Sequence, residues 1–225
     1  MKVKLTIPTS LNEILLKDYQ KYLKIVKENE DAVDFLNLKL VEIFCKVKIK
    51  DVNAIRAKDF EDILNQLTKT FKEEQKFVQR FKINDIEYGF IPKLDDITQG
   101  EYVDVTSYIS DPDNLHKAMA VLYRPIVFTK GDRYLIEDYK GSEEYADVMR
   151  FAPLNIVLGA QVFFYNLANE LLKHTLDSLA EDQSLPLTVR QALAKSGDGI
   201  IQFMHLLEGH SLESKKLQSE DYTNV

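Results

Sequence analysis

The chain has 225 residues, 45% of them hydrophobic and 29% charged, with a formal charge of −7 and one cysteine, Cys45. These values describe an ordinary soluble chain long enough to bury a sizeable core, and the acidic total argues against direct nucleic-acid binding, which needs clustered Lys and Arg. One cysteine excludes an intrachain disulfide framework, no apolar run reaches membrane-span length, and the opening residues lack a signal-peptide core, so a cytoplasmic protein is expected.

Residues 2–7 alternate Val3, Leu5 and Ile7 with polar neighbours, the period of a half-buried strand, and Pro8 ends it. Ser10 followed by Glu13 has the spacing of a capping box, which predicts a helix over 11–28 with Ile14, Leu15, Tyr19, Tyr22, Leu23 and Val26 inward. Further helices are expected over 32–45 and 58–74. Cys45 lies in the apolar run 40–45 and reads as a small buried side chain.

The period changes over 77–91. Alternating runs flank Asn84-Asp85, which predicts a β-hairpin closed by Pro92. Helical segments follow over 98–109 and 115–123, the second stopped by Arg124-Pro125. A second small hairpin is expected near 126–136 with Lys130-Gly131-Asp132 at its turn, then a helix from Ser142 to about Arg150.

The dominant stretch is 153–181. Pro153 suits a first helical turn, and Ile156, Ala160, Phe163, Leu167 and Leu171 recur at spacings of three and four, widened by Phe164, Leu172 and Leu179. Two short helices, 187–194 and 200–208, precede a polar tail, 210–225. The expected fold is α+β and predominantly helical. Its parts are an N-terminal strand and helical unit (1–76), a hairpin plus helical core (77–209) packed with it, and a flexible tail (210–225).

Catalytic and metal signatures are not found. His116, His174, His205 and His210 do not form a helical zinc pair, and no phosphate-cradling glycine loop or nucleophile elbow occurs. The carboxylates Asp95, Asp96, Glu101 and Asp104 are the best candidates for magnesium or acid–base chemistry, but acidic groups at a helix start explain them more simply, as they do Asp111 and Asp113. Neither an enzyme nor a cofactor is expected. Arg124 is a helix-end cap, the partner of an acidic neighbour or a contact to a partner chain, and aromatic side chains can anchor an interface, so Tyr102, Tyr108, Tyr123 and Arg124 form the candidate partner surface.

The segments YGFIPKLDDITQGEYVDV from Tyr88, HKAMAVLYRPI from His116, the Tyr/Gly segment 134–141 and APLNIVLGAQVFFYNLANELL from Ala152 resemble tailed-bacteriophage virion-assembly proteins. The opening IPTSLNEILLKDYQKYLKI is similar too, so the resemblance spans roughly 2–180. It is nearest to the tail assembly chaperone type, and it carries no catalytic or ligand motif. The resemblance implies a non-enzymatic protein that binds the tape measure protein in the host cytoplasm during tail morphogenesis, self-associates along that client and leaves before the particle is finished. A structural virion protein of the neck, connector or tail is the alternative.

Overall fold

The computed structural model describes residues 5–181, and among them eight α-helices and a four-stranded antiparallel sheet make an α+β fold. No strand forms at residues 5–7. Leu5 and Ile7 are half-buried against the core while Thr6 is exposed, so the alternation survives as burial but has no neighbouring strand to pair with. Residues 1–4 of that predicted strand lie outside the described residues.

The first long helix starts later than its sequence suggests. Leu11–Glu13 is a single 3-10 turn, Ser10 makes no side-chain cap, and Ile14 and Leu15 are extended before α1 (Leu16–Glu28) begins. The reason lies far along the chain. Leu15 forms a β-bridge with Pro153, the Leu16 N–H donates to the Ala152 carbonyl at 2.9 Å, and the Leu154 N–H donates to the Ile14 carbonyl at 2.8 Å. Backbone committed to that bridge cannot also turn as a helix.

Next come α2 (Val33–Phe44), the single turn α3 (Ile49–Val52) and α4 (Ala57–Phe71). Tyr22 meets Phe44 at 5.4 Å between ring centroids, and Phe44 meets Phe71 edge-on at 5.1 Å. Cys45 is buried beside them, and burial pushes its thiol up to about 11, which keeps it protonated and unreactive at neutral pH.

The hairpin over 77–91 is present as β1 (Arg80–Ile83) and β2 (Ile86–Phe90). Asn84 and Asp85 both take positive φ, 47° and 65°, as the tight turn matching strand twist requires. After α5 (Gln99–Tyr108) and α6 (Leu115–Leu122), the chain passes directly into β3 (Tyr123–Lys130). Arg124 is therefore a strand residue and caps no helix. β3 pairs with β2 through Tyr88↔Pro125, Gly89↔Arg124 and Phe90↔Tyr123, then with β4 (Arg133–Ile136). The two hairpins expected separately are thus one sheet, in the order β1-β2-β3-β4. A register shift between Ile126 and Phe128 puts a bulge in β3, and Gly131 (φ 60°) makes the two-residue turn with Asp132.

α7 (Glu143–Met149) leads into α8 (Leu154–Glu181), which follows Pro153 as predicted. Ile156, Ala160 and Phe164 are buried, and Phe163 stacks on Phe77 at 4.4 Å. One hydrophobic cluster takes residues from both sides of the 76/77 boundary, from Leu11 to Phe164. The predicted side-chain positions Leu171, Leu172 and Leu179, the helices 187–194 and 200–208, and the tail 210–225 lie outside the described residues. Among the described residues, no helix is long and apolar enough to cross a membrane.

Candidate protein-interaction surface

α5 begins with a reciprocal cap that its sequence, Thr98-Gln-Gly-Glu101, encodes at the spacing assigned above to Ser10 and Glu13. The Glu101 N–H donates to Thr98 Oγ1 at 3.3 Å, and the Thr98 N–H donates to Glu101 Oε2 at 2.8 Å. The other Glu101 oxygen, Oε1, accepts from Arg124 Nη1 at 2.5 Å, and both side chains are buried, 5% and 8% exposed. Burial pushes the Glu101 carboxyl up, but the bonds from Thr98 and Arg124 outweigh it and hold the group below its ordinary range. The Tyr139 ring lies over the Arg124 guanidinium at 5.4 Å, and its hydroxyl donates to the Asp104 carboxylate. Burial and that hydrogen bond raise the Tyr139 phenol, which therefore stays a donor. Four side chains from α5, β3 and the segment after β4 thereby fix α5 against the sheet.

The opposite side of α5 is bare. Tyr102 and Val103 are neighbours, 50% and 48% exposed. One turn on, the Thr106 and Ser107 hydroxyls donate to the Tyr102 and Val103 carbonyls at 2.8 and 2.7 Å. Polar groups spent on the helix's own backbone leave this face less polar than its sequence suggests. An aromatic and a branched side chain stand outward on a helix held rigid from behind, the arrangement of an interface anchor with little ordering left to lose on binding.

Of the four residues assigned to a partner surface, the structure keeps Tyr102 outside and Tyr108 half-buried, with the Lys117 ammonium 5.5 Å from its ring centroid. Tyr123 and Arg124 are interior. The Tyr123 hydroxyl donates to the Val78 carbonyl at 2.6 Å, and Arg124 is the buried partner of Glu101. Arg124 supports α5 from beneath through Glu101, and Tyr123 packs edge-on against Phe81 and Phe90 in the interior. Val103 carried no distinguishing sequence signal, because its exposure depends on which side of α5 Glu101 pins down.

The carboxylates do not converge. Glu101 is committed to Arg124, Asp104 to Tyr139, and Asp96 pairs with Lys93 at 3.4 Å on the surface. The turn Leu94–Asp96 is separate from α5, whose cap is Thr98, so the acids at 95 and 96 do not start that helix. The side chain of Asp95 lies outside the described residues. Asp111 closes a turn, accepting from the Asp113 N–H at 3.0 Å and from Asn114. No group of three or more His, Cys, Asp or Glu among the described residues is placed to hold a metal ion.

His116 is a buried titratable group away from α5. Arg150 Nη2 lies 2.8 Å from its Nε2, and Gln20 Nε2 lies 3.1 Å from its Nδ1. A guanidinium only donates, so Nε2 must accept and the proton sits on Nδ1. Gln20 spends its amide hydrogens on the Pro112 and Asp113 carbonyls, at 2.7 and 3.1 Å. Burial first, then Arg150 and Lys117, hold the imidazole below its ordinary value, against a smaller opposite pull from Asp147 and Glu143. Unfolded, the same histidine takes up a proton near pH 6.5. The unfolded chain thus binds more protons below that pH, so stability is complete above it and falls as pH drops towards the lower folded value, by up to about 1.4 kcal/mol per pH unit. Urea midpoints measured from pH 7.5 to 5 are expected to fall for the wild type and to flatten in His116→Gln.

Comparison of the chain with known protein families, with curated proteins and with solved structures found no match.

Proposed function

We propose that this chain is a non-enzymatic tail assembly chaperone of a tailed bacteriophage, taking the tape measure protein on the outer face of α5 in the host cytoplasm. The observation that carries the binding role is the rigid display of Tyr102 and Val103. The phage assignment rests on the sequence resemblance described above. A tape measure protein is long and helical, and an amphipathic helix docks by laying its apolar stripe against exposed aromatic and branched side chains, with no bond made or broken. The net charge of −7 favours a client segment whose polar rim is basic.

Co-expression with the tape measure protein of the same phage tests this. The wild-type chain is expected to co-purify with it. Tyr102→Glu combined with Val103→Asp is expected to weaken capture at least about tenfold, as the loss of a central anchor does. Because both positions face outward, the thermal midpoint should hold to within a degree or two. Undiminished capture by the doubly substituted chain would reject the α5 face. Fixed, stoichiometric presence in purified particles would reject the chaperone role in favour of a virion component.

A further inference from the structure

The hairpin β3–β4 presents a second surface, independent of the function proposed for α5. β4 is the terminal strand of the sheet. Backbone polar groups of successive residues in an antiparallel strand alternate between its two edges. The Gly131-Asp132 turn makes Lys130↔Arg133 the bonded pair that closes the hairpin, and Leu135 faces β3 two residues on, opposite Phe128. The Glu137 N–H donates to the Pro125 carbonyl at 3.0 Å, which keeps the alternation. The backbone groups of Tyr134 and Ile136 therefore point away from β3, along the edge of the sheet.

The side chains on this strand are unlike those that natural edges use for protection. Leu135 is 59% exposed and Phe128, opposite it, 55%. No proline interrupts β4, and the bulge lies in β3 instead. The charges are arranged symmetrically about Leu135 and opposite in sign, with Arg133 two residues before it and Glu137 two residues after, on the same face by the period of a strand.

We infer that β4 pairs antiparallel with β4 of a second copy of this chain, centred on Leu135. In that register Leu135 lies opposite the partner's Leu135, Arg133 opposite the partner's Glu137, and Glu137 opposite the partner's Arg133. Tyr134 and Ile136, whose backbone groups face outward, become the bonded pair across the new ladder. Phe128 and Leu135 of both copies then form one apolar stripe. A parallel in-register arrangement would set like charges against each other, so the charge order selects the antiparallel one. The arrangement is isologous and closes at two copies. Glu137 keeps one oxygen for the Tyr145 hydroxyl and has the other for the partner's Arg133.

Sedimentation velocity on the full chain over a wide concentration range is the test, with Arg133→Glu, Glu137→Arg and Leu135→Gln as variants and circular dichroism to confirm each is folded. The wild type is expected to pass from monomer to dimer as concentration rises. Each charge reversal is expected to move that midpoint to at least about tenfold higher concentration, because it sets like charges opposite twice. An equimolar mixture of the two charge-reversed chains is expected to regain the dimer, since the all-acidic strand of one meets the all-basic strand of the other. Leu135→Gln, which changes no charge, should also weaken association. A wild-type chain monomeric at every concentration overturns the inference. So does a dimer indifferent to all three substitutions, or a mixture no better than its components.

Discussion

Arg124→Ala is expected to destabilise the fold by about 3–5 kcal/mol, the usual cost of stranding one member of a buried ion pair. The pair itself is not the source of that figure. Glu101 and Arg124 were both taken out of water to meet, and removing the cation leaves a carboxylate 5% exposed with only its Thr98 bonds. Replacing both together, Glu101→Leu with Arg124→Met, is expected to cost well under the sum of the single changes, because nothing charged is left behind. Urea unfolding of the two single and one double variant measures the coupling. Additive losses would show that the two side chains are stabilised independently. Acid removes the opposite member of the pair: protonating Glu101 leaves the Arg124 guanidinium buried without its anion. The Glu101 carboxyl is held below its ordinary 4.5, so its contribution is complete above that pH and disappears as pH falls through the lower folded value.

Gly159→Ala is the second large effect, and its sign opposes helix propensity. Inside a helix, glycine to alanine ordinarily gains about 1 kcal/mol. Here a Cβ would collide with the backbone carbonyl of Lys76, just before the chain enters the sheet. Backbone cannot swing aside as a flexible side chain does. One turn later Phe163 stacks on Phe77 and meets Phe90 edge-on at 5.5 Å, so displacing α8 would open that aromatic stack as well. A loss of about 2–3 kcal/mol is expected for alanine, the upper range for overpacking, and failure to fold for Gly159→Leu. A thermal midpoint unchanged or raised by alanine would show that α8 and the Lys76 segment do not touch.

Local patterns were readable wherever a single element carried its own signal. Pro153 and the three-four spacing behind it located α8, and Asn84-Asp85 located the first turn, because positive φ and an unneeded N–H are properties of single residues. The start of α1 was misplaced because its cause, the bridge from Leu15 to Pro153, belongs to the other end of the chain. Tyr123 and Arg124 were placed at the surface for the same reason, although pairing with an acidic neighbour was among the roles expected of Arg124. Their burial comes from Val78 and Glu101, which only the fold brings near. The exposed pair Val127 and Phe128 was hidden differently. A bulge puts two consecutive apolar residues on the outside, which strict alternation does not anticipate. Of the candidate surface, sequence named Tyr102 and the pieces of its support, but assigned the support to the wrong side of the protein's skin.

The bridge between Leu15 and Pro153 also sets a schedule. On the ribosome, residues 14–17 emerge well before residues 150–154, which supply the backbone partners of Ile14, Leu16 and Lys17. Until those residues arrive, the backbone groups of Ile14, Leu16 and Lys17 lack these partners, and the apolar side chains beside them lack part of their cover. Closing this bridge is thus a late step, and a truncation before Pro153 would leave the newborn chain with Ile14 and Leu15 short of their backbone partners.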